Sequence, residues 1–93
     1  MNRYDVLLRP VTTEKTDIML EEDNQVVFEV ARQANKRQIR EAVESIFEVD
    51  VLNVRTMIVR GKSRRWGRHV TQKPSWKKAI VTLAPGEAID LAG

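Results

Sequence analysis

Two runs rich in β-branched residues, 51–59 and 77–83, flank a stretch, 61–75, that can join neither of them. The flanking runs have the composition and alternation of strands and make a natural antiparallel pair. The stretch between them is too polar to pack and is broken by Gly61, Gly67 and Pro74. A connection of about fifteen residues without structure of its own is unusual in a small chain, and such connections are generally functional or disordered. The chain is therefore expected to hold a β-hairpin whose loop does something other than turn the corner.

Charge sharpens that expectation. Between residues 60 and 78 stand eight bases (Arg60, Lys62, Arg64, Arg65, Arg68, Lys73, Lys77, Lys78) and no acid, a local charge of +8. The remainder sets eight bases against thirteen acids and carries −5, which gives the net +3 of the whole 93-residue chain. An acidic body with one basic arm suits a molecule that meets phosphate with a single element, because Coulomb attraction is screened over roughly 8 Å in cellular salt. Solubility alone is served by mixed signs. Arginine presents a planar fork to phosphate oxygens, and Trp66 offers a face on which a base or ribose can rest, unless it covers the hairpin's own backbone. Lacking apolar contacts, the free arm is expected to order on binding. Trp76, beside Pro74 and Ser75, reads first as a packing residue that opens the last strand. Lys77 and Lys78 point to opposite faces of that strand, so at most one faces a given RNA surface, and either also serves as an edge lysine that discourages aggregation.

The rest of the chain supplies a body for the arm. Thr13 caps a helix over about residues 14–22, with Glu14 at the positive end of its dipole. Residues 25–30 form a strand with Val26, Phe28 and Val30 on one face. Asn35 with Gln38 forms a capping box, and Ile39, Ala42, Val43, Ile46 and Phe47 then fall on one face of a helix. On its outer face Arg37 with Glu41 and Arg40 with Glu44 stand at i, i+4. A short strand over 6–8 and a turn at Pro85 and Gly86 complete an order of β-α-β-α-β-β. The expected architecture is α+β, a single RNA-binding domain over 1–93 with an extended basic loop at about 60–76.

Catalysis finds little footing. The one histidine, His69, stands among cations that disfavour its protonation and has no carboxylate near it in sequence. Gly61 and Gly67 lack the spacing and strand-to-helix setting of a phosphate-cradling loop. Without cysteine there are no disulfides or thiolate ligands, and no cofactor or metal is expected. No apolar stretch approaches the roughly 20 residues that cross a bilayer, and residues 1–10 lack the features of a signal peptide, so a cytoplasmic chain is expected.

Several local patterns together resemble a known family. Arg9-Pro10-Val11-Thr12-Thr13-Glu14-Lys15 is similar to a Pro-x-x-Ser/Thr-Glu-Lys opening, and Phe47-Glu48-Val49-Asp50-Val51 to a helix-to-strand passage. Gly61-Lys62 begins a basic loop, and Trp76-Lys77-Lys78-Ala79-Ile80-Val81-Thr82-Leu83 is similar to a signature strand. From end to end the chain resembles the bacterial type of the large-subunit ribosomal protein family numbered twenty-three. Ala92 departs from it, standing where a larger aliphatic residue more often closes the tail.

The resemblance implies a four-stranded antiparallel sheet bound to large-subunit ribosomal RNA beside the outer mouth of the polypeptide exit tunnel. The hairpin would thread into the RNA, and ribosomal protein number twenty-nine would be a neighbour. Glu14 matches the docking carboxylate for trigger factor, on a face also used by the signal recognition particle, and Glu48 matches a second acidic position. Read from the residues alone, Glu14 is a helix-start acid worth a few tenths of a kcal/mol. The residues expected to meet RNA are Arg9, Lys15, Lys36, Arg37, Arg60, Lys62, Arg64, Arg65, Trp66, Arg68, His69, Lys73, Trp76, Lys77 and Lys78. Two other readings compete. One is a DNA-architectural protein that inserts a basic hairpin into a groove. The other is a protein-interaction module whose loop binds an acidic partner.

Overall fold

A computed structural model describes residues 3–61, 63–66, 69–72, 74–87 and 89, with side chains described for 5–61, 74–87 and 89. The elements run α1 (Arg3–Val6), β1 (Leu7–Pro10), α2 (Glu14–Asp23), β2 (Gln25–Val30), α3 (Lys36–Phe47), β3 (Val51–Val59), β4 (Ser63–Trp66), β5 (His69–Gln72) and β6 (Trp76–Leu83). Four strands form one antiparallel sheet in the order β1-β2-β6-β3, and β4 pairs with β5 in a second, two-stranded sheet.

The caps act where the sequence places them. In α3 the Gln38 amide donates to Asn35 Oδ1 at 2.8 Å while the Asn35 amide donates to Gln38 Oε1 at 3.0 Å, so two of the donors orphaned at a helix start are satisfied reciprocally. Thr13 and Thr16 do the same for α2, the Thr13 amide donating to Thr16 Oγ1 at 2.6 Å and the Thr16 amide to Thr13 Oγ1 at 3.2 Å. Helices α2 and α3 each close on a left-handed residue, Asn24 (φ 53°) after α2 and Glu48 (φ 55°) after α3. Asn24 suits the position, and its side-chain amide also donates to the Ala84 carbonyl at 2.9 Å. Glu48 lacks the short side chain that eases this conformation.

The core lies between α3 and one face of the sheet. Ile39, Ala42 and Val43 are completely buried against Val26, Phe28 and Val30 of β2, Val54 of β3 and Ala79, Val81 and Leu83 of β6. Phe28 and Phe47 meet as a tilted ring pair with centroids 5.6 Å apart. The alternation expected of β2 holds, with one addition: Val27, on the opposite face, is equally buried, because residues of α2 stand over it.

Three boundaries differ from the sequence reading. The strand expected over 6–8 is Leu7–Pro10, preceded by a single helical turn that buries Val6, whose carbonyl accepts from the Ala31 amide at 2.8 Å. One turn is too short to generate periodicity. The run read over 77–83 extends by one residue to Trp76, which opens β6 as its reading had it and pairs with Val59. Third, the interval read as having no structure of its own holds the paired strands β4 and β5, with Arg64 opposite Thr71 and Trp66 opposite His69. The side chains of 62–73, on which the expected basic loop depends, lie outside the described residues, as does the expected departure at Ala92. The Pro85-Gly86 turn is present: the Glu87 amide donates to the Ala84 carbonyl at 3.0 Å and Gly86 takes φ 87°, the geometry of a turn with proline second and glycine third.

Candidate nucleic-acid interface

The two faces of the sheet differ in chemistry, and register decides which residue goes where. Beginning at Trp76, alternate residues of β6 (Trp76, Lys78, Ile80, Thr82) point away from α3. Opposite them stand Gln25, Val27 and Glu29 on β2 and Asn53, Arg55, Met57 and Val59 on β3, while Arg9 on β1 stands opposite Glu29. This outer face carries Arg9, Arg55 and Lys78 against the single acid Glu29, and Glu29 is ion-paired to Arg9. The positive charges of Arg55 and Lys78 are therefore left over among the described residues.

Lys77, one residue away, turns toward α3. Its ammonium donates to the Ala34 carbonyl just before the helix cap, an obligation unrelated to any partner. The expected division of Lys77 and Lys78 between faces is thus present, and of the two it is Lys78 that faces outward.

Two clefts border this arrangement. One, of about 310 Å³, is lined by Lys36, Arg37 and Arg40 of α3 and by Leu52, Asn53 and Val54 of β3. Lys36 and Arg37 occupy the first turn of α3, which has no acid, so they oppose the helix dipole and do not serve the helix. Arg37 reaches Glu41 at 3.3 Å, and Arg40 lies 3.8 Å from Glu44. The second cleft, of about 450 Å³, is a trough on the outer face. Its floor is Val27 and Ile80, its sides include Val11, Thr16 and Met19 on one hand and Met57 and Trp76 on the other, and Lys15 and Lys78 stand at it.

Arg9, Lys15, Lys36, Arg37, Trp76 and Lys78 thus stand on the outer face or in the clefts. Arg60 is exposed at the end of β3, where the chain leaves for the arm. Lys62, Arg64, Arg65, Trp66, Arg68, His69 and Lys73 belong to the arm, outside the described side chains. Glu14 opens α2 and Glu48 closes α3; both are exposed, and among the described residues no ion pair joins them. Sequence reasoning missed Arg40, Asn53, Arg55 and Met57. For Arg55 the signal was available, since it adjoins the buried Val54 and must face the other way. Arg40 was read only as an intrahelical partner of Glu44. Among the described residues no group of His, Asp and Glu side chains could hold a metal ion.

Comparison with known proteins adds an independent line. The family model described as "Ribosomal protein L23" matches residues 5–91. The chain is 53% identical over 90 residues to the "Large ribosomal subunit protein uL23" of Desulfatibacillum aliphaticivorans, covering 97% of this chain and 95% of that one. It is 54% identical over 88 residues to the protein of that name from Acidithiobacillus ferrooxidans, covering 95% and 91%. For the Geobacter sulfurreducens protein the identity is 51% over 90 residues, covering 97% and 96%.

Proposed function

The chain belongs to the ribosomal protein L23 family, and from that premise we propose that it is held in the large ribosomal subunit by direct contact with ribosomal RNA, made by the basic arm, the outer face of the sheet and the start of α3 together. Membership sets the coarse role, a structural and non-enzymatic constituent of the large subunit, working on ribosomes in the cytoplasm. The observation that carries the finer reading is the partition of charge, with +8 confined to 60–78 and −5 on the remainder. Arg9, Lys15, Lys36, Arg37, Arg60, Lys62, Arg64, Arg65, Arg68, Lys73 and Lys78 are assigned to phosphate. Trp66, His69 and Trp76 are assigned to bases or riboses, and Lys77 to a lesser part. Position beside the exit tunnel, with ribosomal protein number twenty-nine as neighbour, is supported by the motif resemblance. So is the docking of trigger factor and the signal recognition particle through Glu14 and Glu48, two exposed carboxylates whose charge suits a basic partner and repels RNA.

The test replaces 61–75 by a short turn and follows binding to large-subunit RNA across a salt series. If about five phosphates are met, the intact chain shows a log-log slope of about −3 to −5. A folded, shortened chain that loses both affinity and slope supports the reading; equal binding by the two chains overturns the part given to the arm. Glu14→Ala is expected to weaken trigger factor docking and leave RNA binding intact, and loss of both would make Glu14 structural.

A further inference from the structure

We propose that the trough on the outer face receives one unstacked base of ribosomal RNA, laid against Trp76 and Met57, with its flanking phosphates at Lys15 and Lys78. The inference rests on the RNA-binding reading above and adds to it a base-accepting site on the four-stranded sheet, outside the 61–75 stretch.

Four observations converge on it. The trough has a buried apolar floor, Val27 and Ile80, and a half-buried indole, Trp76, at its side. Its volume of about 450 Å³ falls within the range of small-ligand sites. Met57 is 40% exposed, although Lys78 directly opposite it offers only an aliphatic stem as cover, so an apolar surface is left open at a place rimmed by cations. Both charged residues that line the trough are lysines, and the nearest acid across the strands, Glu29, is occupied by Arg9.

A nucleotide matches that combination, having an apolar π-face for the indole and thioethers and anionic phosphates on either side. An apolar peptide side chain would use the floor and leave both lysines without a role. The hydroxyls within reach, Thr13 and Thr16, are already engaged with each other and with the backbone in the α2 cap. The site therefore has little with which to read a base edge, and it accepts any of the four bases by stacking.

The test uses the full chain with deproteinised large-subunit RNA, comparing Trp76→Leu, Trp76→Phe and Met57→Gln, each checked for folding by circular dichroism. Loss of one stacked base is expected to weaken binding by Trp76→Leu about fivefold or more. The salt slope should not change, because no cation is removed, and Trp76→Phe should recover most of the loss. Met57→Gln, on an exposed side chain that the core does not need, should weaken binding in the same sense. In purified large subunits, ultraviolet cross-linking should place a nucleotide adduct on Trp76 or Met57. Undiminished binding by folded Trp76→Leu and by Met57→Gln overturns the trough site and leaves the arm's role standing. So do adducts confined to 60–73, or a protein cross-linked at Met57. An intact chain that fails to bind RNA overturns the RNA-binding reading itself.

Discussion

Replacing Lys78 by glutamine removes one cation from the outer face of the sheet, whereas the same replacement at Lys77 removes one from the side that meets α3. The two residues are adjacent and equal in formal charge, so an account based on net charge gives them the same effect. The structure does not. Each phosphate neutralised by a protein cation contributes about 0.7–0.9 to the slope of log affinity against log salt. Lys78→Gln is therefore expected to make the slope shallower by about that amount, close to a threefold difference in the salt response between 50 and 200 mM. Lys77→Gln should change the slope far less and surface chiefly as lost stability, since the Ala34 carbonyl loses a charged donor. A hydrogen bond to a charged group is worth about 1.5–3 kcal/mol, and part exposure brings the figure to about 1 kcal/mol. For a chain of this size that corresponds to a fall in melting temperature of about 4–8 °C. The assay is filter or fluorescence binding to large-subunit RNA at four or more salt concentrations, paired with thermal unfolding of each variant. Equal changes of slope in the two variants, with equal melting temperatures, would refute the assignment of faces.

Three further outcomes follow from the body of the protein. Asn35→Ala removes half of the reciprocal cap on α3 and should cost about 1 kcal/mol, read as a lower denaturant midpoint at constant slope. Ile39→Ala empties a fully buried position at the centre of the helix–sheet contact and should cost about 2–5 kcal/mol in equilibrium unfolding. Glu48→Gly relieves a non-glycine residue held at φ 55° and should stabilise the fold by about 1 kcal/mol by the same measurement; if Glu48 contacts docking factors, the stabler protein should nevertheless bind trigger factor more weakly.

Much of the body was legible in the sequence because its signals are local. The capping box at Asn35 and Gln38, the period of Ile39, Ala42 and Val43, and the bounds of β2 and β3 all come from short-range rules, and β3 does pair with β6. The helical turn at Arg3–Val6 escaped because four residues carry no periodic signal. The division of Lys77 from Lys78 followed from alternation, yet which of them turned outward depended on where α3 packs. The clefts were hidden for the same reason. Arg40 and Asn53 are thirteen residues apart in the chain and become neighbours only when α3 lies along β3.

The start of β3 shows how an unpaired edge is kept from recruiting another strand. Arg40 Nη2 donates to the Val51 carbonyl at 2.7 Å, and the Val51 amide donates to Glu44 Oε2 at 3.3 Å, so both backbone groups of one edge residue are occupied by side chains of the neighbouring helix. A constituent of the large ribosomal subunit is made before it is assembled, and in that interval it meets identical copies of itself. An open strand rich in valine is a hazard over that interval, since it is a template for pairing between molecules. Neutralising Arg40 and Glu44 together would expose the template while leaving the core untouched, and the damage would fall on the pool of protein awaiting assembly, as turnover or aggregation, before it reached any finished ribosome.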